Sequence, residues 1–587
     1  MTKLSVWKAA CVVFVFCAAT PIASRAQTFT LLASFEGSDG SHPYEVSLAQ
    51  GRDGNFYGTT VLGGNNNCTN GCGTVFRVTP AGALKTIYGF CSQTNCTDGA
   101  NPYAGLVLGD DGNLYGTTYA GGANPNDCVG ESFGCGTIFK ITPEGALTTL
   151  YSFCVAYPSC TDGDLPYAGL TQGSDGSFYG TTGFGGANGA GTIFKVTSLG
   201  KLTTLYSFCA RTNCSDGSFP QAALVQATDG DFYGTNVEGG NAANCFGGCG
   251  TVFKITARGN LTTLYTFCGR PECPDGFEPQ GLVEGADRNF YGVTIDGAAV
   301  DNGTAFKITP SGELTTLHSF CSQTNCADGA FPYVGLIQAT DGNFYGMTGE
   351  GGNLMPCGGT SDGCGTVFEI SPQGSLTTLH VFDFTEGFDP QDGLLQATNG
   401  SLYGAVWGGG SNNCGLPGCG TVFGLNMGFG PFVAFVRNPA EVGKRFGVLG
   451  QGLTGTSSVS VNGTQAEFAV KSDTFLEVTV PNGGTTGLVT VTTPTGTLTS
   501  NVPFRVLPQV LSFYPPSGAV GTMVTITGVS LTQTTEVGFG DHVPAEFTVN
   551  SDTQVTATVP SGAKTGPVGV ETQGGIAISS AGFTVTP

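Results

Sequence analysis

One column of this chain, immediately ahead of a recurring glycine, reads Leu62, Ala120, Phe184, Glu238, Asp296, Glu350 and Trp407. Three consecutive repeats place a carboxylate there, and an aromatic ring stands at each end of that run. The sister positions show that the scaffold does not require these side chains. Phe184, Glu238, Asp296, Glu350 and Trp407 are therefore the candidate binding residues. Aromatic faces stack on the C–H faces of pyranose rings, and carboxylates accept hydrogen bonds from sugar hydroxyls. Three acids also suit Ca²⁺, which takes oxygen ligands. Carboxyls about 5–9 Å apart suit glycoside hydrolysis. The plain alternative is a variable, solvated loop position. No Ser/His/Asp arrangement, phosphate-cradling glycine loop or metal-ligand cluster is legible, so no catalytic residue is assigned and no cofactor or metal is expected.

Sulfur is the other reactive element. The cysteines beyond residue 26 fall into close pairs. Five pairs precede one recurrent strand: Cys68/Cys72, Cys128/Cys135, Cys245/Cys249, Cys357/Cys364 and Cys414/Cys419. Five follow another: Cys91/Cys96, Cys154/Cys160, Cys209/Cys214, Cys268/Cys273 and Cys321/Cys326. No loop holds a single cysteine, so the members of a pair depend on each other. In an exported chain that pattern reads as ten local disulfides. Each closes a short loop, which the chain-entropy estimate values at roughly 2 kcal/mol. Zinc would require two pairs to converge on one four-ligand site; scarce histidine and an oxidising compartment count against it. His318 and His380 stand where sister repeats carry Tyr151 and Tyr206, and read as structural variants. His42 and His542 complete the histidines.

These residues need a scaffold, and the chain spells it seven times. One phrase, Asp-Gly-Asn-Phe-Tyr-Gly in its first copy, ends around Tyr57, Tyr115, Tyr179, Tyr233, Tyr291, Tyr345 and Tyr403. A Gly-Thr-Val/Ile/Ala-Phe phrase, a Leu-Thr-Thr-Leu-Tyr-Ser-Phe phrase and a Gly-Leu pair recur beside it. Each is a short β-branched and aromatic run bounded by Gly, Pro or Asp-Gly, the pattern of a strand. Four strands per unit fit a propeller blade; in order they are A (Gly-Leu), B (Phe-Tyr-Gly), C (Thr-Val-Phe) and D (Leu-Thr-Thr-Leu). The chain enters with a lone D-like strand, Thr28 to Phe35, and leaves after the seventh C strand near Leu425. The first strand can thus complete the last blade and remove an exposed edge. The expectation is an all-β chain. A seven-bladed β-propeller over 27–429 is closed by an N-terminal strand and followed by immunoglobulin-like β-sandwiches over 430–507 and 508–587. Alternating strand direction puts the B–C loops, the D–A connections and all the bridges on one face, which is the expected recognition surface. Asp53, Asp111, Asp175, Asp229, Asp287 and Asp341, with Asn399 as the seventh, read as turn residues, with Ca²⁺ binding as the alternative. The tyrosines read as packing between blades.

Two resemblances follow from these motifs. Pro516-Ser517-Gly518 and Gly521 ahead of Val524-Thr-Ile-Thr-Gly528, then Ser551-Asp552-Thr553 and Val559-Pro560, resemble an IPT/TIG domain. The preceding segment resembles one too, with Ser472-Asp473-Thr474 and Val480-Pro481, but opens on Asn438-Pro439-Ala440-Glu441. Asp341-Gly342-Asn343-Phe344-Tyr345-Gly346 and Gly365-Thr366-Val367-Phe368 resemble the GloVer (choice-of-anchor) tandem repeats of bacterial exported proteins. That resemblance implies export and brings no catalytic residues.

Residues 1–26 read as a signal peptide, with Lys3 and Lys8 ahead of an apolar run and Ser24-Arg25-Ala26 as the cleavage site. No later stretch is long and apolar enough to span a bilayer. Of the 21 basic residues, Lys3, Lys8 and Arg25 leave with the signal, against 43 acidic ones. So acidic a chain excludes non-specific nucleic-acid binding. The expected function is a secreted or cell-surface binding or adhesion protein, its partner an extracellular glycan or a surface protein. The alternatives are a carbohydrate-active hydrolase or lyase using Glu238, Asp296 or Glu350, and a structural envelope component.

Overall fold

The computed structural model describes residues 27–587 apart from 46, 65–66, 69, 125–127, 129–133, 241–244, 246, 299–300, 353–356, 358–361, 416 and 541–542. The signal segment and His542 lie outside the described residues. Through the repeat region the chain forms seven four-stranded antiparallel sheets. In the first, strand A (Ala49–Gln50) pairs with B (Phe56–Thr60), B with C (Thr74–Val78), and C with D (Leu84–Gly89). Strand B is buried along its whole length, and C nearly so, whereas D is partly exposed. Sheets packed face against face cover both sides of an inner strand. Its sequence is therefore a continuous small-and-aromatic run instead of an apolar/polar alternation.

The motifs follow from this packing. Gly58 pairs with Phe76 in register, and the Phe76 ring lies where a side chain at Gly58 would start, 2.6 Å from an ideal Cβ. Every blade repeats that pairing. Gly234→Ala, whose Cβ would lie 2.6 Å from Phe253 and 2.9 Å from Leu224, is expected to cost about 1–3 kcal/mol by overpacking. A lower denaturant midpoint at unchanged slope would show it. Between blades the tyrosine of one strand B stacks on the phenylalanine of the next: Tyr115 on Phe178 and Tyr179 on Phe232 at 4.0 Å, and Tyr291 on Phe344 at 3.9 Å. Each tyrosine hydroxyl ends at the A–B turn, as where Tyr57 donates to Asp53 at 2.8 Å. Asp53 also accepts from the Asn55 N–H at 3.2 Å, closing the turn.

The last blade takes its outer strand from the other end of the chain. Thr28–Ser34 pairs antiparallel with Thr421–Asn426, beside Leu402–Val406 and Leu395–Gln396. The Phe35 N–H reaches the Gly420 carbonyl at 3.1 Å, as Phe90 reaches Gly73 in the first blade. The ten disulfides join the cysteines in the pairs read from the sequence. His318 and His380 take the place of tyrosine in a recurring contact. Tyr206 donates to Asp216 at 2.8 Å, while His318 meets Asp328 and His380 meets Glu386 at 2.9 Å.

Two β-sandwiches follow. In the first, Ala434–Phe435, Arg445–Leu449, Phe475–Thr479 and Phe468–Ser472 face Thr464–Gln465, Ser458–Val461, Val489–Thr493 and Gly496–Thr499 across a core that includes Phe446, Val459 and Phe504. The second repeats the strand order with Gln509–Tyr514, Met523–Val529, Gln554–Thr558 and Phe547–Ser551 on one side. The first sandwich sits on the A–B turn face of the propeller. The Arg52 guanidinium lies 4.3 Å from the centre of the Phe475 ring, and Thr474 donates to the Arg52 carbonyl at 2.6 Å. Arg437 pairs with Asp110 at 2.9 Å, Arg505 donates to the Ala227 carbonyl at 3.1 Å, and the Phe432 N–H to the Thr398 carbonyl at 3.0 Å. The turns of four blades are thereby covered, and the disulfide face lies opposite.

Candidate functional site

On that face each D–A connection ends in a residue followed by proline: His42, Asn101, Leu165, Phe219, Glu278, Phe331 and Asp389. All seven adopt left-handed backbone, with φ between 50 and 57°. For a residue with a side chain this conformation costs of order 1–3 kcal/mol, and the surroundings must impose it. They do so by one repeated hydrogen bond to the neighbouring blade. The Asn101 N–H donates to the Cys72 carbonyl at 2.8 Å, Leu165 to Cys135 at 2.9 Å, and His42 to Cys419 at 2.9 Å. Glu278 and Asp389 likewise reach Cys249 and Cys364, at 3.2 and 3.3 Å. In five blades the acceptor belongs to a bridged cysteine, so the B–C disulfides stiffen the struts that hold this ring. The proline packs where a side chain at the glycine opening strand C would stand, as Pro102 does against Gly73.

The ring encloses the mouth of the axial channel and divides into two arcs. The first three blades supply aromatics. Tyr44 meets Tyr103 edge-on at 5.4 Å, Tyr103 meets Tyr119 at 4.9 Å and Tyr167 at 5.5 Å, and Tyr119 meets Tyr167 at 4.8 Å. Tyr167 continues to Phe219 at 5.5 Å, and Phe219 to Phe184 at 4.7 Å. All are half-buried, keeping part of each ring open to solvent.

The remaining blades supply acids. Burial raises the Glu278 carboxyl, and the charges of Asp296 and Glu238 raise it further. Glu350 is pushed up to about 6 by burial and then by Asp362 and Asp389. Asp389 is pushed up to about 6 by burial, against a 2.6 Å hydrogen bond from Gln391. Tyr333 stands among them, its hydroxyl raised by burial and by the fields of Asp389, Glu350, Asp296 and Glu278. Below the mouth a cavity of about 240 Å³ is lined by Glu45, Tyr167, Gln280, Tyr333 and the glycine backbone of the A strands.

A carboxyl raised on folding holds its proton more tightly in the folded chain than in the unfolded one. Its contribution to stability is full below the unfolded value of about 4 and is lost as pH rises through about 6. Glu350→Gln should therefore shrink the gain in melting temperature on going from about pH 7 to about pH 5. An unchanged gain would contradict the placement of Glu350 among these acids.

Residues 18–246 and 208–423 match the Gloeobacter/Verrucomicrobia repeat. The chain belongs to the Gloeobacter/Verrucomicrobia repeat family. Residues 508–586 match the IPT/TIG domain. No curated protein matches the chain. Similar solved structures include a fungal alcohol oxidase of the AA5 family in complex with copper, 14% identical over 79% of this chain and 98% of that one, with a TM-score of 0.44. A putative 6-phosphogluconolactonase from Bacteroides uniformis is 14% identical over 57% of this chain and 85% of its own, with a TM-score of 0.37. A surface glycan-binding protein from Prevotella bryantii is 20% identical over 25% of this chain and 38% of its own, with a TM-score of 0.21.

Within this Gloeobacter/Verrucomicrobia repeat scaffold, the backbone pairing places the sequence column directly. Ser41 bridges Leu62, Ala100 bridges Ala120, Asp164 bridges Phe184, Ser218 bridges Glu238 and Ala330 bridges Glu350, and Phe277 pairs with Asp296. In the seventh blade the partner of Phe388 is Gly408. Trp407 therefore stands one position earlier than the sequence column puts it, level with Tyr119, because the last blade carries three glycines where most others carry two. It packs edge-on against His42 at 4.9 Å and Phe388 at 6.0 Å. Burial lowers the His42 imidazole. Glu238, Asp296, Glu350 and Phe184 keep their places around the mouth. Glu278, Asp389, Tyr103, Tyr167 and Tyr333 join them, signalled only by the proline beside each.

Proposed function

We propose that this is an exported extracellular binding protein that holds a glycan across the propeller mouth. The observation that carries the reading is the division of one opening into an aromatic arc and a carboxylate arc. A sugar chain lying across it would stack its C–H faces on Tyr103, Tyr119 and Tyr167 and donate its hydroxyls to Glu278, Glu350 and Asp389. Such concave sites combine an apolar wall with a few placed polar groups. The sandwiches occupy the other face and leave the mouth free, serving as spacer or docking modules toward a cell surface. The IPT/TIG domain supports an extracellular binding role.

The test is retention of oxidised residues 27–587 on a panel of insoluble polysaccharides and cell envelopes, scored as bound protein. Retention on a glycan that the free oligosaccharide competes away is the expected result. No retention on any glycan would sink the reading and direct attention to protein partners.

A second reading draws on Glu350, whose carboxyl is pushed up to about 6. A carboxyl protonated near neutral pH suits a general acid in glycoside cleavage, with a neighbouring carboxylate as base or nucleophile. Reducing ends released from the retained polysaccharide, and lost in Glu350→Gln, would favour it. Retention without release would leave binding alone.

A further inference from the structure

We propose that three blades carry fold-built Zn²⁺ sites, which open when their paired disulfides are reduced. In the first blade the B–C pair Cys68/Cys72 and the D–A pair Cys91/Cys96 bring their four Sγ atoms within 4.8 Å of one another. Cys128, Cys135, Cys154 and Cys160 do the same in the second blade, and Cys245, Cys249, Cys268 and Cys273 in the fourth. These are the blades in which both loops carry a pair, and wherever both are present they converge. The pairs Cys209–Cys214, Cys321–Cys326, Cys357–Cys364 and Cys414–Cys419 belong to no such group among the described residues.

A local bridge accounts for each pair but not for their convergence, because two disulfides gain nothing from lying together. Four thiolates do. Zinc bound tetrahedrally at about 2.3 Å holds its sulfurs about 3.8 Å apart, so each set lies within roughly 1 Å of that arrangement. The loops are also held by backbone hydrogen bonds that do not pass through sulfur. Cys91 N–H donates to the Gly99 carbonyl at 3.0 Å, Gly122 N–H to Cys96 at 2.9 Å and Cys154 N–H to Gly163 at 3.2 Å. Cys68 and Cys245 are half-buried and open their sets to solvent, while the second set is buried throughout. It should fill last.

The chemistry balances with an external dithiol as reductant. Two dithiols pass four electrons and four protons to two protein disulfides, becoming two cyclic disulfides and leaving four protein thiols. Zn²⁺ then displaces four protons and is held by four thiolates.

The experiment uses the whole chain from residue 27, reduced without air, with its near-ultraviolet circular dichroism followed as a measure of the fold. It is equilibrated with Zn²⁺, and with Co²⁺ as a coloured substitute, and bound metal is counted. Three metal ions per folded reduced chain are expected, with thiolate-to-cobalt absorption, and none on the oxidised chain. Cys91→Ser with Cys96→Ser should leave two; Cys209→Ser with Cys214→Ser should leave three. No uptake, equal loss from the two variants, or loss of the near-ultraviolet signal on reduction would each overturn the proposal.

Discussion

Phe35→Ala should lower the stability of the propeller by about 3–5 kcal/mol, the range for removing a fully buried phenylalanine. Phe35 has no exposed surface and meets the Phe76 ring of the first blade edge-on at 5.0 Å. It also fastens the incoming strand Thr28–Ser34 to the last blade through its N–H. The cavity therefore opens at the one seam where the ring is joined by strand pairing from its two ends. Removing residues 27–35 outright should be more severe, because Thr421–Asn426 would become a bare edge open to pairing with other chains. Equilibrium denaturation with size-exclusion chromatography reads both effects. Val381→Ala, at an exposed site on an outer strand, should stay within about 0.5 kcal/mol. A similar small effect for Phe35→Ala would contradict closure by this strand.

Replacing Tyr103 and Tyr167 together by alanine should weaken glycan retention by about thirtyfold or more, on the order of 2 kcal/mol, as for a central aromatic anchor. These rings hold the middle of the aromatic arc, each within 5.0 Å of Tyr119. They stack on one another and not into a blade core, so truncating them should leave folding nearly intact. The comparison is of binding isotherms with melting curves: affinity lost at unchanged melting supports a contact role. Unchanged affinity would remove the aromatic arc from the site. Arg437→Ala, at the sandwich contact on the opposite face, should leave retention unaltered.

Much of this architecture is legible in the residues. Tyr-Gly followed later by Thr-Val-Phe is the imprint of a phenylalanine lying over a glycine, and seven copies of it spell seven sheets. The closing strand is visible because the chain begins with strand D and ends with strand C. The bridges are visible because cysteine occurs in a loop twice or not at all. Trp407 is misplaced by one residue because Gly408-Gly409-Gly410 hides the end of strand B in a run of like residues; only the pairing of Phe388 with Gly408 resolves it. The ring of His42, Asn101, Leu165, Phe219, Glu278, Phe331 and Asp389 escapes a reading by residue type because its members share a backbone conformation and not a chemistry. The four-sulfur groups escape for a different reason: B–C and D–A loops meet only once a blade is folded. The contact of Arg52 with Phe475 likewise joins segments that no local pattern links.

The central claim is that ligand is held at the mouth on the disulfide face. Hydrogen–deuterium exchange, with and without a saturating oligosaccharide from the retained glycan, tests it most directly. The account predicts slowed exchange in the segments that form the ring, 99–104, 163–168, 276–280 and 329–335. Slowing confined to the sandwiches or to the A–B turns around Asp53 and Asp111 would contradict it.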